Sequence, residues 1–259
     1  MIRLAAVGDV HCGTDARAQV RAQFASVRDH ADALLLAGDL TRLGTPAEAE
    51  VFADVLRDLT DVPIAAVLGN HDHQSDRADE VRAAFESAGV RVLEGDAVVW
   101  RVGGVRLGVA GTKGFAGGFE GTHATAFGES AMKSFVEHTQ AMAGAIDACL
   151  HDLEADVRVL LLHYAPIRET LAGEPREIFP FLGSYLFAEV ADDHGVDLVL
   201  HGHAHRGVER GRTPGGIPVR NVAQAVIRQG YAVYTLEPRM RAPGGSGLEA
   251  LSPARSRSE

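Results

Sequence analysis

Hydrophobic positions in this chain fall into short apolar runs separated by amphipathic stretches. Ile2–Val7 is the first run, a helix-like stretch follows from Asp15 to His30, and Ala33–Ala37 is the second run. The next helix opens at Thr45-Pro46, an N-cap with proline at the first helical position. Pro63–Leu68 precedes a helix predicted over Arg77–Ala88, and strands are predicted near Val90–Leu93, Ala97–Val102 and Val105–Ala110. Gly103-Gly104, between the last two, reads as a two-residue hairpin turn. The glycine-rich stretch from Gly111 to Gly128 shows neither the helical nor the strand period and reads as a loop. Ala131–Leu153 then places Met132, Phe135, Val136, Met142, Ile146, Cys149, Leu150 and Leu153 on one stripe of a long helix. Val157–Leu162, a helix near Tyr185–His194, and Val196–Leu200 continue the alternation. After Gly207 come short strands with a Pro214-Gly215-Gly216 turn. Residues 1–237 therefore read as one α/β domain without repeats, and Pro238–Glu259, rich in Pro, Gly, Ser and Arg, as a disordered tail.

Composition narrows the possibilities. The 259 residues are 46% hydrophobic, ample for a proper core. Thirty-five acidic against 25 basic residues give a formal charge of −10, which argues against a broad basic face for nucleic acid or anionic lipid. No apolar run approaches the ~20 residues of a membrane span. Cys12 and Cys149 make no disulfide framework and no CxxC site. Met1 leads straight into a strand rather than a signal peptide, so the cytoplasm is the expected location.

The chemistry sits where the runs stop. Ile2–Val7 runs into Gly8-Asp9-Val10-His11, Ala33–Ala37 into Gly38-Asp39, and Pro63–Leu68 into Gly69-Asn70-His71-Asp72. Val157–Leu162 ends at His163, and Val196–Leu200 at His201-Gly202-His203-Ala204-His205. Open α/β sheets bind ligands just beyond the carboxyl ends of their strands. Asp, Asn and neutral His suit borderline divalent metals, and the absence of thiolates speaks against a structural zinc cage. Each fragment alone has a plain structural reading as a turn, a cap or a core histidine. Five such fragments together, closing on three histidines within five residues, do not. Seven ligands are too many for one ion and suit two ions sharing a carboxylate.

In that order the motifs resemble the signature of the calcineurin-like metallophosphoesterases, spanning residues 9 to 205. The resemblance implies an α/β fold in four layers, an α-β-β-α sandwich of two mixed sheets with flanking helices. It implies that Asp9, His11 and His205 hold one metal, that Asn70, His163 and His203 hold a second, and that Asp39 bridges them. The ions would be transition metals such as Mn, Fe or Zn, with a hydroxide between them as nucleophile. His71 would be the acid beside the scissile phosphate, and Asp72 would orient its ring.

The chain departs from the family at Arg220-Asn221-Val222-Ala223-Gln224, where a turn of Asn-Pro-Gly-Ser type is common. Cys12 reads as a small buried residue. His201 and His73 flank the motifs, as packing or rim residues. Lys113, His123 and His73 are candidate substrate contacts. His30, His138, His151 and His194 read as surface positions on helices. Phe179, Phe181, Leu182, Tyr185 and Phe187 concentrate apolar bulk, as helix packing or, in the other reading, as an apolar lid or the surface of a homodimer. The expected function is a phosphodiesterase acting on a small, nucleotide-like or other organic diester, with no stable nucleic-acid partner. The alternatives are a phosphomonoesterase or protein phosphatase, and a binding scaffold that kept the fold without catalysis.

Overall fold

The structure, a computed structural model, describes residues 1–59 and 61–238. The expected tail, apart from Pro238, lies outside the described residues. In chain order the strands are β1 (Ile2–Val7), β2 (Ala33–Ala37), β3 (Ile64–Val67), β4 (Arg91–Val92), β5 (Asp96–Val102), β6 (Val105–Thr112), β7 (Gly118–Phe119), β8 (Thr122–His123), β9 (Val157–Leu162), β10 (Leu198–His201), β11 (Arg210–Arg212), β12 (Pro218–Asn221) and β13 (Ala232–Leu236). The α-helices are α1 (Arg17–Phe24), α2 (Val27–His30), α3 (Pro46–Leu56), α4 (Ala78–Ser87), α5 (Ser130–Asp152), α6 (Phe179–Leu182), α7 (Leu186–His194) and α8 (Gln224–Ile227).

Two mixed sheets form the centre. One runs β13-β1-β2-β3-β4, parallel except for β13. The other runs β11-β12-β10-β9-β6-β5, parallel in its middle and antiparallel at both edges. Alternate residues of each strand point to opposite faces, so a strand covered on both sides must be apolar throughout. In β2, Ala33, Leu35 and Ala37 face the other sheet, and Leu34 and Leu36 face α3 and α4. In β9, Val159 and Leu161 meet the first sheet while Leu160 and Leu162 pack toward α5 and α7. Helix, sheet, sheet, helix is the expected four-layer sandwich.

Local chemistry explains several boundaries. Thr45 and Glu48 form a reciprocal capping box at the start of α3. Gly103 and Gly104 both take positive φ, as a two-residue turn between β5 and β6 requires. Three expectations change. The helix-like stretch Asp15–His30 breaks into α1 and α2, because the chain turns at Ala25-Ser26 to bury Val27 while Ser26 Oγ meets the Tyr231 hydroxyl at 2.8 Å. The Gly111–Gly128 loop contains the small β7–β8 hairpin. The strand expected from Val196 starts at Leu198, since the Val196 amide still bonds back to α7.

Candidate metal centre and active site

The ends of β1, β2, β3, β9 and β10 meet at one edge of the sandwich and bring all seven expected ligands together. Backbone bonding continues beyond the strands: the Asp9 amide donates to the Gly38 carbonyl, the His11 amide to Asp39, and the Gly202 amide to His163. Six non-glycine residues among those described take positive φ, and four of them are Asp9, His11, Asp39 and His203. Such backbone costs on the order of 1–3 kcal/mol per residue and persists where surrounding structure imposes it. Gly38 shows why the approach is so close: at φ +79° a Cβ there would stand 2.6 Å from His163 Nδ1.

The side chains form two linked groups. On one side His205 Nε2 lies 2.8 Å from Asp9 Oδ1, and the His11 ring stands 5.4 Å from that of His205. His205's hydrogen bond holds the Asp9 carboxyl below its usual range although burial pushes it up, and in return raises the His205 imidazole. On the other side His163 Nδ1 donates to the Ala37 carbonyl at 2.9 Å, which leaves a lone pair on Nε2. That lone pair faces Asn70 Oδ1 at 3.0 Å and Asp39 Oδ1 at 3.4 Å. The His203 ring stands 4.9 Å from that of His163, and burial pushes its pKa down to about 3. Asp39 lies between the groups, 3.9 Å from His11 Nε2 and 3.4 Å from His163.

Two features fit these residues to cations. His11 Nε2 is buried with no hydrogen-bond partner. The His163 Nε2 lone pair faces Asn70 Oδ1 and Asp39 Oδ1, the latter also accepting from the His71 amide, an arrangement that a cation relieves. Asp9–His11–His205 and Asp39–His163–His203 each bring three donor atoms within 4.8 Å of one another.

His71 stands over the first group, its ring 4.6 Å from His11 and its Nε2 4.0 Å from Asp39 Oδ2. The expectation that Asp72 orients this ring is corrected. Asp72 is fully buried and accepts from the amides of Leu40, Thr41 and Gly69 and from the Thr41 hydroxyl. It ties the ends of β2 and β3 together. The Arg42 carbonyl, 2.8 Å from His71 Nδ1, holds the ring instead.

The remaining candidates separate. Lys113 stands beside the second group, its ammonium 4.9 Å over Phe115 and 5.7 Å over Tyr164, and burial lowers its pKa. His73 is at the exposed rim, where desolvation and the Lys113 charge lower its pKa. His123 packs against Tyr185 at 5.2 Å, away from the seven, and lines an apolar groove. His201 is buried between the Thr170 hydroxyl and the Gly202 carbonyl, and burial takes its pKa to about 4. Cys12 is buried and its thiol pushed up to about 11, as a packing residue would be. Asn221, at the family departure, is buried and holds the Ala204 carbonyl and the Ala223 amide, so that segment supports the His203–His205 loop. His30, His138 and His151 are exposed, whereas His194 is half-buried against Asp147. Tyr164 escaped the sequence reading. Its ring lies 4.3 Å from His203, and only its place directly after His163 could have signalled it.

A family model of calcineurin-like phosphoesterases matches residues 2–207. The chain belongs to that family. This phosphoesterase is 28% identical to a Synechococcus protein named "probable cyclic nucleotide phosphodiesterase", over 82% of this chain and 76% of the relative. Its fold is also that of the phosphopantetheinyl hydrolase of Mycobacterium tuberculosis, with TM-score 0.65, 18% identity and coverage of 93% and 98% of the two chains. GAP50, the anchor in the inner membrane complex of Plasmodium, shares the fold at TM-score 0.52 and 12% identity, over 86% of this chain and 72% of that one. No helix among the described residues is long and apolar enough to cross a membrane.

Proposed function

We propose that this phosphoesterase is a phosphodiesterase for small organic diesters, nucleotide-like ones included, working with two transition-metal ions. The observation that carries the reading is Asp39, with lone-pair donors on both sides: the orphaned His11 Nε2 and the His163–Asn70 pair. Asp9, His11 and His205 would hold one ion, and Asn70, His163 and His203 the other, with Asp39 shared. Ions so placed supply charge stabilisation at phosphorus and a nucleophile at neutral pH.

The protein's own groups do the rest. His163 is fixed by the Ala37 carbonyl, so its Nε2 faces the centre without rotamer search. His71 donates through Nδ1 to the Arg42 carbonyl, which fixes the ring, and in its imidazolium form Nε2 would carry the proton given to the departing oxygen. Lys113, His73 and the Tyr164 hydroxyl line the second group's side and would meet the substrate's anionic oxygens. The diester reading draws on the name of the Synechococcus relative.

The test is a manganese-loaded panel of bis-p-nitrophenyl phosphate, p-nitrophenyl phosphate and cyclic nucleotides. A diester is expected to exceed the monoester in kcat/KM by about tenfold or more. A faster monoester would reassign the enzyme to phosphomonoesters, and no turnover of any would leave the scaffold reading.

A further inference from the structure

We propose that one arm of the substrate is a flexible apolar chain, so that the phosphoester hydrolysed here is amphiphilic; this rests on the phosphodiesterase reading and names its substrate class. The side chains change character in order from the metal centre outward. His203 is followed by the Tyr164 ring at 4.3 Å, Tyr164 by Phe115 at 5.8 Å, and Phe115 by Phe135 at 5.4 Å. The Lys113 ammonium stands over Phe115 and Tyr164, and no carboxylate of a described residue comes within ion-pair distance of it. Glu94 and Asp39 act on its charge without pairing with it, so the ammonium can meet an anion at the inner end of this series.

Phe135 in turn lines a groove of about 600 Å³ with Ala131, Met132, Pro180 and Phe181, and His123 and Glu129 also border it. Phe181 is 61% and Met132 41% exposed, in a chain with only 6% aromatic residues and a charge of −10. Apolar surface of this kind beside a polar centre marks a ligand groove. Cations first, aromatic floor next and apolar groove last match an ester with an anionic head and an apolar tail. A second protein chain seated in the groove would have no use for that order.

The experiment uses the full manganese-loaded chain and p-nitrophenyl alkyl phosphates from methyl to octyl, each below its micellar concentration. kcat/KM is expected to rise about twofold per methylene, the effect of moving a half-buried methylene out of water, or about a hundredfold across the series. Met132→Asp places a charge in the groove at an exposed position in the first turn of α5, where an acid suits the helix dipole. It is expected to flatten the slope, and a uniform loss of activity leaves a slope unchanged. Calorimetry of methyl and octyl phosphate needs no turnover, and octyl phosphate should bind at least about tenfold tighter. A flat series with equal binding overturns the proposal. So does an unaltered slope in Met132→Asp when sedimentation shows that the variant splits a dimer, because the groove then belongs to a second copy. If binding climbs with chain length while no diester turns over, the phosphodiesterase reading fails and the amphiphile site stands.

Discussion

The rim formed by the ends of β1, β2, β3, β9 and β10 and the wall formed by residues 113–135 and 178–187 meet at Tyr164, yet they are built by opposite means. On the rim, polar side chains end regular strands whose backbone bonds continue past the last ladder residue, as between His11 and Asp39. The backbone there accepts positive φ at four of the seven ligand-type residues. The wall is a two-residue-per-strand hairpin, a one-turn helix and the start of α5, with apolar side chains in solvent. The rim lies within the stretch that the family model matches, and short surface connections of the wall's kind are where folds carry substrate contacts. In the proposed account, reaction type belongs to the rim and selectivity to the wall.

Substitutions on the rim should strike turnover hardest. His71→Ala is expected to lower kcat by roughly 10²–10⁴ while leaving metal content intact, if its Nε2 serves the leaving oxygen as proposed. The loss should shrink for nitrophenolate esters, which need little protonation, relative to alkyl leaving groups. Equal losses on both would remove the acid role, and lost metal would make His71 a ligand.

Asp72 sharpens the contrast within one motif. Asp72→Ala strands the buried amides of Leu40, Thr41 and Gly69, at a cost of about 3 kcal/mol or more. For a chain of this size that should lower Tm by roughly 6 °C or more in thermal melts. A Tm within about 2 °C of wild type would return Asp72 to a purely catalytic part.

His201 gives the smallest of these effects. The folded chain keeps its imidazole neutral down to about pH 4, whereas the unfolded chain takes up the proton near 6.5. Protonation thus favours unfolding, and stability should fall as pH drops from 6.5 toward 4, by on the order of 3 kcal/mol from this residue. His201→Gln should melt with a weaker acid dependence than wild type over that window, and an identical dependence would contradict this.

The metal-type residues were legible because each follows a buried apolar run. Asp72's role was not, because its donors at Leu40 and Thr41 arrive from another strand some thirty positions away. Neither was the break at Ala25-Ser26, where an apolar stripe of helical spacing continues and the partner, Tyr231, lies at the far end of the chain. Tyr164 carried no signal of its own, and only the fold sets its ring against His203. The aromatic segment was readable as apolar but not as split. Phe187 is buried under the second sheet and Phe181 is left in solvent.

The central claim is that Asp39 is shared by two ions. Elemental analysis after manganese reconstitution should find about two ions per wild-type chain. The same analysis of Asp39→Ala should find at least one ion lost, with activity below a tenth of wild type and the fold retained by circular dichroism. A wild-type protein that is fully active with one ion or fewer, or an Asp39→Ala variant that keeps both its metal and its activity, would contradict the account.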